Sequence, residues 1–132
     1  MGVDVGVAAG DRSPAAVVRA FFRAYEGGDL EATMSFFHAV YTDGSRGVHV
    51  GADAIRVVMT DMMPTAPNVT REVTRTVADE RTVMIERVDH FDYEGKTIRC
   101  EIAVAFDVDG ERRITRWRDY YDMGSIRDQI LA

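Results

Sequence analysis

Residues 82–121 read TVMIERVDHFDYEGKTIRCEIAVAFDVDGERRITRWRDYY, and hydrophobic side chains occupy alternate positions through most of this stretch. Such alternation is typical of β-strands that bury one face and expose the other. Glu94-Gly95 and Asp109-Gly110 are strong signals for hairpin turns between strands. We therefore predict an antiparallel meander of three strands, Thr82–Tyr93, Thr97–Val108 and Arg112–Tyr121.

The chain before the meander is mainly helical. Ser13-Pro14 provides a helix cap followed by proline at the first helical position, and Gly27-Gly28 ends that helix. A second helix is predicted after the cap Asp29, with Phe37 on its inner face. The other predicted elements are a short strand at Val40–Asp43, a loop at Gly44–Gly51, a helix at Ala52–Met63, a strand at Val69–Val77 and a short C-terminal helix capped by Ser125.

Together these elements predict one α+β domain. Three or four helices pack on one side of a strongly curved, mostly antiparallel sheet that encloses a pocket. Residues 1–12 are predicted to form a flexible tail, and residues 13–132 the domain.

Composition narrows the classes of function. The 132 residues are 46% hydrophobic and 29% charged, which is usual for a soluble globular protein and argues against a membrane protein. A net charge of -6 argues against nucleic acid as a partner. The single cysteine, Cys100, excludes an intramolecular disulfide and favours a reducing compartment, the cytoplasm. The histidines lack metal-ligand spacing, so we expect no metal and no other cofactor.

Three ionisable side chains fall on predicted inward faces. Arg87 and Asp89 share the parity of the apolar residues in their strand, and Asp119 shares the parity of Trp117, although Ile114 breaks that pattern. Burying charges costs several kcal/mol unless they pair. A structural Arg–Asp pair explains one carboxylate and leaves the second unexplained. Two acids around one arginine titrate as a coupled set, which favours an acid and a base side by side.

The same faces predict the apolar wall around these groups, and with it a binding site for an apolar small molecule. The predicted wall residues are Val83, Ile85, Phe91, Ile102, Val104, Phe106 and Trp117.

These motifs resemble the limonene-1,2-epoxide hydrolase family. The resemblance rests on Glu86-Arg87-Val88-Asp89 and, about thirty residues later, Trp117-Arg118-Asp119-Tyr120-Tyr121-Asp122, and it extends from about Pro14 to Asp122. It implies a cone-shaped α+β barrel similar to nuclear transport factor 2 (NTF2-like), ketosteroid isomerase and the SnoaL-like polyketide cyclases. It also implies a homodimer.

The resemblance further implies roles for individual residues. Asp89 matches the general acid that protonates the epoxide oxygen, and Asp119 matches the general base that takes a proton from water. Arg87 matches the arginine that holds both carboxyl groups. Tyr41 matches a tyrosine that positions the water, but Asp43 stands where the family has an asparagine, and an ionised aspartate only accepts hydrogen bonds.

Three hypotheses follow. The first is an epoxide hydrolase that adds water to an apolar, cyclic epoxide in one step and gives a vicinal diol. The second is a SnoaL-like or epoxide-opening cyclase, or a ketosteroid-type isomerase, that uses the same pocket. The third is a non-catalytic binding or dimerisation module with a structural Arg–Asp pair.

Overall fold

The structure, a computed structural model, describes residues 12–43 and 47–132, with side chains described for all of these except residues 38–43. Apart from Arg12, the predicted N-terminal tail lies outside the described residues. The helices are α1 (Pro14–Glu26), α2 (Leu30–Ser35), α3 (Ala52–Met62) and α4 (Met123–Leu131), and a 3₁₀ helix at Met63–Asn68 follows α3. The strands are β1 (Phe37–Asp43), β2 (Gly47–Val50), β3 (Val69–Ala78), β4 (Thr82–Tyr93), β5 (Lys96–Val108) and β6 (Ile114–Tyr121).

The strands form one sheet of six in the order β2-β1-β6-β5-β4-β3. Every neighbouring pair is antiparallel except β1 and β6, which run parallel. The predicted α+β fold with a mostly antiparallel sheet is therefore confirmed. The edge strands β2 and β3 do not pair with each other, so the sheet does not close into a barrel.

Irregular pairing bends the sheet at three places. The register shifts between Phe37 and Val40 in β1, at Thr74 in β3 and at Thr115 in β6. An extra residue in one strand of a pair bends that strand and increases its twist. The bulges thus curve the sheet around the helices, and the inward face forms a concave wall.

The cap at the start of each of the first two helices is the predicted one. Ser13 Oγ accepts a hydrogen bond from Ala16 N at 3.2 Å, and Asp29 Oδ1 accepts from Ala32 N at 3.0 Å. Each bond satisfies a backbone N–H that has no partner within its helix.

The second helix is shorter than predicted. It ends at Ser35, and Phe37 begins β1 instead of lying on the helix. The side chain of Phe37 is nevertheless buried, in an edge-on contact with Phe21 whose ring centroids are 5.1 Å apart. An inward apolar residue at a helix–strand junction fits both the helical period and the alternation of a strand. The sequence therefore did not show whether Phe37 belongs to the helix or to the strand.

The segment predicted as a loop contains a strand. Gly47–Val50 forms β2, which pairs antiparallel with β1, and Gly44–Arg46 lies outside the described residues. Val48 and Val50 are exposed. An edge strand whose apolar residues face solvent lacks the half-buried alternation on which the strand predictions rest.

The C-terminal helix has a different cap from the predicted Ser125. Asp122 accepts a hydrogen bond from Gly124 N at 2.8 Å, so Ser125 lies inside the first turn. The helix packs on β5 through Gln129, whose Oε1 accepts from Arg99 N at 2.9 Å and whose Nε2 donates to Arg99 O at 2.7 Å. No residue of α4 is buried.

The core lies between the inward face of the sheet and helices α1–α3, and aromatic rings fill its centre. Trp117 stacks on Phe37 and on Phe106, with ring centroids 5.7 and 5.8 Å apart. Phe21 of α1 closes this stack edge-on, 5.3 Å from the Trp117 ring. Such contacts add to the free energy gained by burial and fix the ring positions.

Candidate active site

Arg87 and Asp89 form a hydrogen-bonded ion pair on the inward face of β4. Because they are two residues apart on one strand, their side chains leave the same face. Arg87 Nε donates to Asp89 Oδ1 at 2.9 Å, and Arg87 Nη2 donates to Asp89 Oδ2 at 3.2 Å. The side chains are 8% and 14% exposed, so the pair is shielded from water. A two-point pair of this kind fixes the plane of the carboxylate as well as its position.

Asp119 reaches the same region from β6. It is 7% exposed, and its Oδ1 accepts a hydrogen bond from Trp117 Nε1 at 2.7 Å. The indole is held by the aromatic stack of the core, so this bond orients the carboxylate. A buried carboxylate with a fixed orientation is suited to proton transfer.

The bulge at Thr115 explains why Ile114 and Asp119, five positions apart on β6, both point inward. Phe106 pairs with Trp117 and Val108 pairs with Ile114, so β6 has one residue more than β5 over this interval. Ile114 and Trp117 are therefore both buried although they are three positions apart. The predicted inward parity of Trp117 and Asp119 is found, and the bulge accounts for the exception at Ile114.

The three ionisable groups share one cavity of about 310 Å³. It lies between the sheet, α1 and the start of α4. Its lining combines Arg87, Asp89 and Asp119 with the apolar and polar residues Phe22, Tyr25, Met62, Thr65, Val69, Arg71, Phe91, Cys100, Ile102, Trp117, Tyr121, Met123 and Ile126. A mostly apolar concave site with a few converging polar groups is the usual form of a small-molecule site.

The predicted wall residues separate into three groups. Phe91, Ile102 and Trp117 line this cavity. Val83 and Ile85 line a second cavity of about 200 Å³ on the other side of Arg87. Val104 and Phe106 are fully buried in the core and line neither of these two cavities. Inward parity does not distinguish a pocket wall from the core, because helices cover part of the same face.

At Tyr41 and Asp43, the predicted water-positioning residues, the structure describes only the backbone. Tyr41 pairs with Trp117 across the parallel β1–β6 contact, and Asp43 pairs with Gly47 of β2. The backbone of Tyr41 is thus next to the strand that carries Asp119. The side chains of both residues lie outside the described part of the chain.

Arg71 is a residue of the cavity that the sequence reasoning missed. It lies on β3 directly opposite Asp89, and its guanidinium lies over the ring of Tyr25, 5.4 Å from the centroid. Arg87 lies in the same way over the ring of Phe22, at 5.5 Å. The parity of Arg71 with the inward residues of β3 was the signal that would have found it.

The arrangement places two carboxyl groups, Asp89 and Asp119, and two guanidinium groups, Arg71 and Arg87, around one cavity with a largely apolar lining. Carboxyl groups in such a cavity can exchange protons with a bound molecule, and Arg87 stabilises negative charge on Asp89. In the described residues, no group of three or more His, Cys, Asp and Glu side chains is placed to hold a metal ion. None of the described helices is long and apolar enough to span a membrane.

Comparison with known families gives one match along nearly the whole chain. Residues 12–131 match the family described as limonene-1,2-epoxide hydrolase catalytic domain. No curated protein matches the chain.

Several solved structures are similar in fold. A limonene-1,2-epoxide hydrolase-like epoxide hydrolase of M. tuberculosis is 23% identical with a TM-score of 0.71, covering 89% of each chain. SalBIII, described as an epoxide hydrolase/cyclase-like enzyme in pyran ring formation in the polyether salinomycin, is 20% identical with a TM-score of 0.72, covering 85% of this chain and 92% of its own.

A third similar structure comes from Shewanella denitrificans OS-217 and is described as a putative SnoaL-like polyketide cyclase. It is 13% identical with a TM-score of 0.74, covering 89% of this chain and 96% of its own. The similarity to these three structures establishes the fold of the chain. It is the predicted cone-shaped, NTF2-like α+β fold.

Proposed function

This chain belongs to the limonene-1,2-epoxide hydrolase family, and from that membership we propose that it adds water to an apolar, cyclic epoxide in one step to give a vicinal diol. The family is of epoxide hydrolase or cyclase type. The observation that carries the proposal is the single cavity in which the Arg87–Asp89 pair and Asp119 meet.

Asp89 acts as the general acid in this proposal. In its protonated form it gives its proton to the epoxide oxygen as the carbon–oxygen bond breaks. The carboxylate that results is the form held in the Arg87–Asp89 ion pair, by two hydrogen bonds of 2.9 and 3.2 Å. Because the cation is in place before the reaction, the charge that develops on Asp89 is stabilised without rearrangement.

Asp119 acts as the general base. It takes a proton from water while the water oxygen bonds to the ring carbon, and the Trp117 N–H holds its Oδ1 in position. The protons then re-equilibrate through solvent, which returns Asp89 to its protonated form and Asp119 to its carboxylate. The cycle needs no covalent intermediate and no cofactor.

The apolar lining supports this chemistry in two ways. Phe91, Ile102 and Trp117 provide a surface for a hydrocarbon ring, and a ring bound there displaces water from the cavity. Interactions between the charged groups are stronger where water is scarce. Tyr41 and Asp43 are proposed, from the family resemblance, to position the attacking water.

The test is a panel of cyclic and linear epoxides assayed for diol with no added metal or cofactor. We expect diol from at least one cyclic epoxide. In ¹⁸O-labelled water, a single turnover places the label in the diol. Label found first in an aspartate of the protein contradicts direct attack by water, and no turnover of any epoxide contradicts the proposal.

Trp117→Phe tests how the base is positioned. Phenylalanine keeps an aromatic ring in the stack but removes the N–H that Asp119 accepts. Since a hydrogen bond to a charged group contributes about 1.5–3 kcal/mol, we expect kcat for diol formation to fall about 10- to 100-fold, with a small change in KM. Phe106→Leu is the control, because it alters the same stack without removing a hydrogen bond to Asp119. An unchanged kcat in Trp117→Phe contradicts this role.

A cyclase is the second candidate, favoured by the similarity in fold to SalBIII and by Asp43 in place of asparagine. In that reaction an internal hydroxyl of the substrate replaces water as the nucleophile. An epoxide that carries a suitably placed hydroxyl distinguishes the two reactions: a hydrolase gives a diol containing solvent oxygen, and a cyclase gives a ring ether without it.

We also propose a homodimer in the cytoplasm. Met84 and Tyr120 are exposed on strands β4 and β6, and buried apolar surface is the usual driving force of dimerisation. The single cysteine, Cys100, fits a reducing compartment.

A further inference from the structure

The smaller cavity, of about 200 Å³, lies between α1 and strands β3 and β4. The hydrolysis proposed above does not use it. Its lining residues are Ala15, Val18, Arg19, Phe22, Arg23, Glu26, Arg71, Val73, Thr76, Val83, Ile85 and Arg87.

The charges around this cavity are mainly positive. Arg19, Arg23 and Arg71 line it together with one carboxylate among the described residues, Glu26. Arg87 also lines it; the guanidinium of Arg87 is held by Asp89, and Arg71 Nη1 donates to Ala66 O at 3.4 Å. The whole chain carries a net charge of -6, so this local excess of arginine contrasts with the average surface. A concave site lined by one sign of charge attracts ligands of the opposite sign.

The rest of the lining is apolar. Its walls suit a hydrocarbon chain and provide no hydrogen bonds for a small hydrated ion; they are formed by Val18, Val73, Val83 and Ile85. Arginine pairs with planar carboxylates through two parallel hydrogen bonds. An aliphatic wall beside guanidinium groups is thus suited to an alkyl chain that ends in a carboxylate.

The two cavities adjoin each other. Phe22, Arg71 and Arg87 line both of them. The rings of Phe22 and Tyr25, one turn apart on α1, each carry one of these guanidinium groups at 5.5 and 5.4 Å. A molecule that reacts at Asp89 and Asp119 therefore has the cationic cavity next to it.

We propose that the smaller cavity is a carboxylate-binding subsite, and that the substrate is an epoxide whose apolar tail ends in a carboxylate. The inference rests on the proposed function only for the epoxide end of the molecule. Arg19 and Arg71 bind the carboxylate, Arg23 attracts it at the exposed rim, and the valine and isoleucine walls hold the methylene groups. The epoxide ring lies in the larger cavity, within reach of the two aspartates.

The first experiment measures binding without chemistry. Cyclohexyl-alkanoates of increasing tether length, which contain no epoxide, are titrated calorimetrically into the full-length protein beside their methyl esters. We expect the best acid to bind about tenfold or more tightly than its ester, and this preference to fall as ionic strength rises from about 0.05 to about 0.5 M. Equal affinity of acid and ester at every tether length overturns the subsite.

Variants locate the subsite. Arg19→Gln and Arg71→Gln are each expected to reduce the acid-to-ester preference to a few-fold or less. Arg75→Gln is the matched control, because Arg75 is an exposed arginine of β3 that lines neither cavity. A preference that survives in both Arg19→Gln and Arg71→Gln, or is lost equally in Arg75→Gln, overturns the assignment.

A turnover assay separates this inference from the proposed function. A cyclohexene oxide whose tether ends in a carboxylate is compared with the same compound as its methyl ester. We expect a higher kcat/KM for the acid, arising from a lower KM, and loss of that advantage in Arg19→Gln. Carboxylate-selective binding without any turnover supports the subsite and contradicts the hydrolase. Turnover that does not distinguish acid from ester supports the hydrolase and overturns the subsite.

Discussion

Asp119→Asn is expected to lower the rate of diol formation by about a thousandfold and to leave the free energy of unfolding within about 1 kcal/mol of the wild-type value. The amide has nearly the shape of the carboxylate, and its oxygen still accepts a hydrogen bond from Trp117 Nε1. It does not take a proton from water at neutral pH. The loss therefore appears in kcat, with a smaller change in KM.

The measurement pairs initial rates on the best epoxide with urea unfolding of the same preparations. Asp92→Asn is the matched control, since Asp92 is an exposed aspartate of β4 three residues beyond Asp89 and lines neither cavity. We expect it to retain the wild-type rate. A large loss of stability in Asp119→Asn with little loss of rate contradicts the role of base and supports a structural carboxylate.

Arg87→Met is expected to destabilise the protein by about 1–3 kcal/mol, because it leaves the carboxyl group of Asp89, which is 14% exposed, without its two hydrogen bonds from Arg87. Methionine fills much of the space of the arginine stem but donates no hydrogen bond. The double variant Arg87→Met/Asp89→Leu removes both charges, and we expect it to regain most of the lost stability. Both variants are inactive, since the acid or its stabilising cation is missing.

The outward face of the sheet supplies a control with the same spacing. Arg99 and Glu101 are also two residues apart on one strand and form an ion pair at 2.6 Å, but their side chains are 53% and 71% exposed. Arg99→Met is expected to change the free energy of unfolding by about 0.5 kcal/mol or less. Equal destabilisation by Arg87→Met and Arg99→Met shows that burial of the inward pair contributes nothing.

The meander was predictable because its signals are local. Alternation places Arg87 and Asp89 on one face, and the turn dipeptides limit where the strands start and end. The three predicted strands agree with β4, β5 and β6 to within two residues at each end. Inward parity also brought Asp119 to the correct side, because the bulge at Thr115 lies before it and leaves the rest of β6 in regular alternation.

The features that were missed depend on strand pairing and on helix packing, which the alternation of side chains does not show. The segment Gly47–Val50 is a strand because it pairs with β1. Val48 and Val50 are exposed, so no pattern of burial indicates that pairing. Val104 was predicted as pocket wall because a sheet face shows which side chains point inward and not which of them a helix covers. Arg71 became significant only when β3 was paired with β4 and placed it opposite Asp89.

The weak attachment of α4 affects how ligands enter the larger cavity. Met123 and Ile126 form part of that cavity's lining, yet none of the helix's nine residues is buried, and the amide of Gln129 is one of its main anchors. Elements with little buried apolar surface detach at a small fraction of the cost of global unfolding. We therefore expect α4 to detach before any strand does, and bulky molecules to enter the larger cavity through the gap that it leaves.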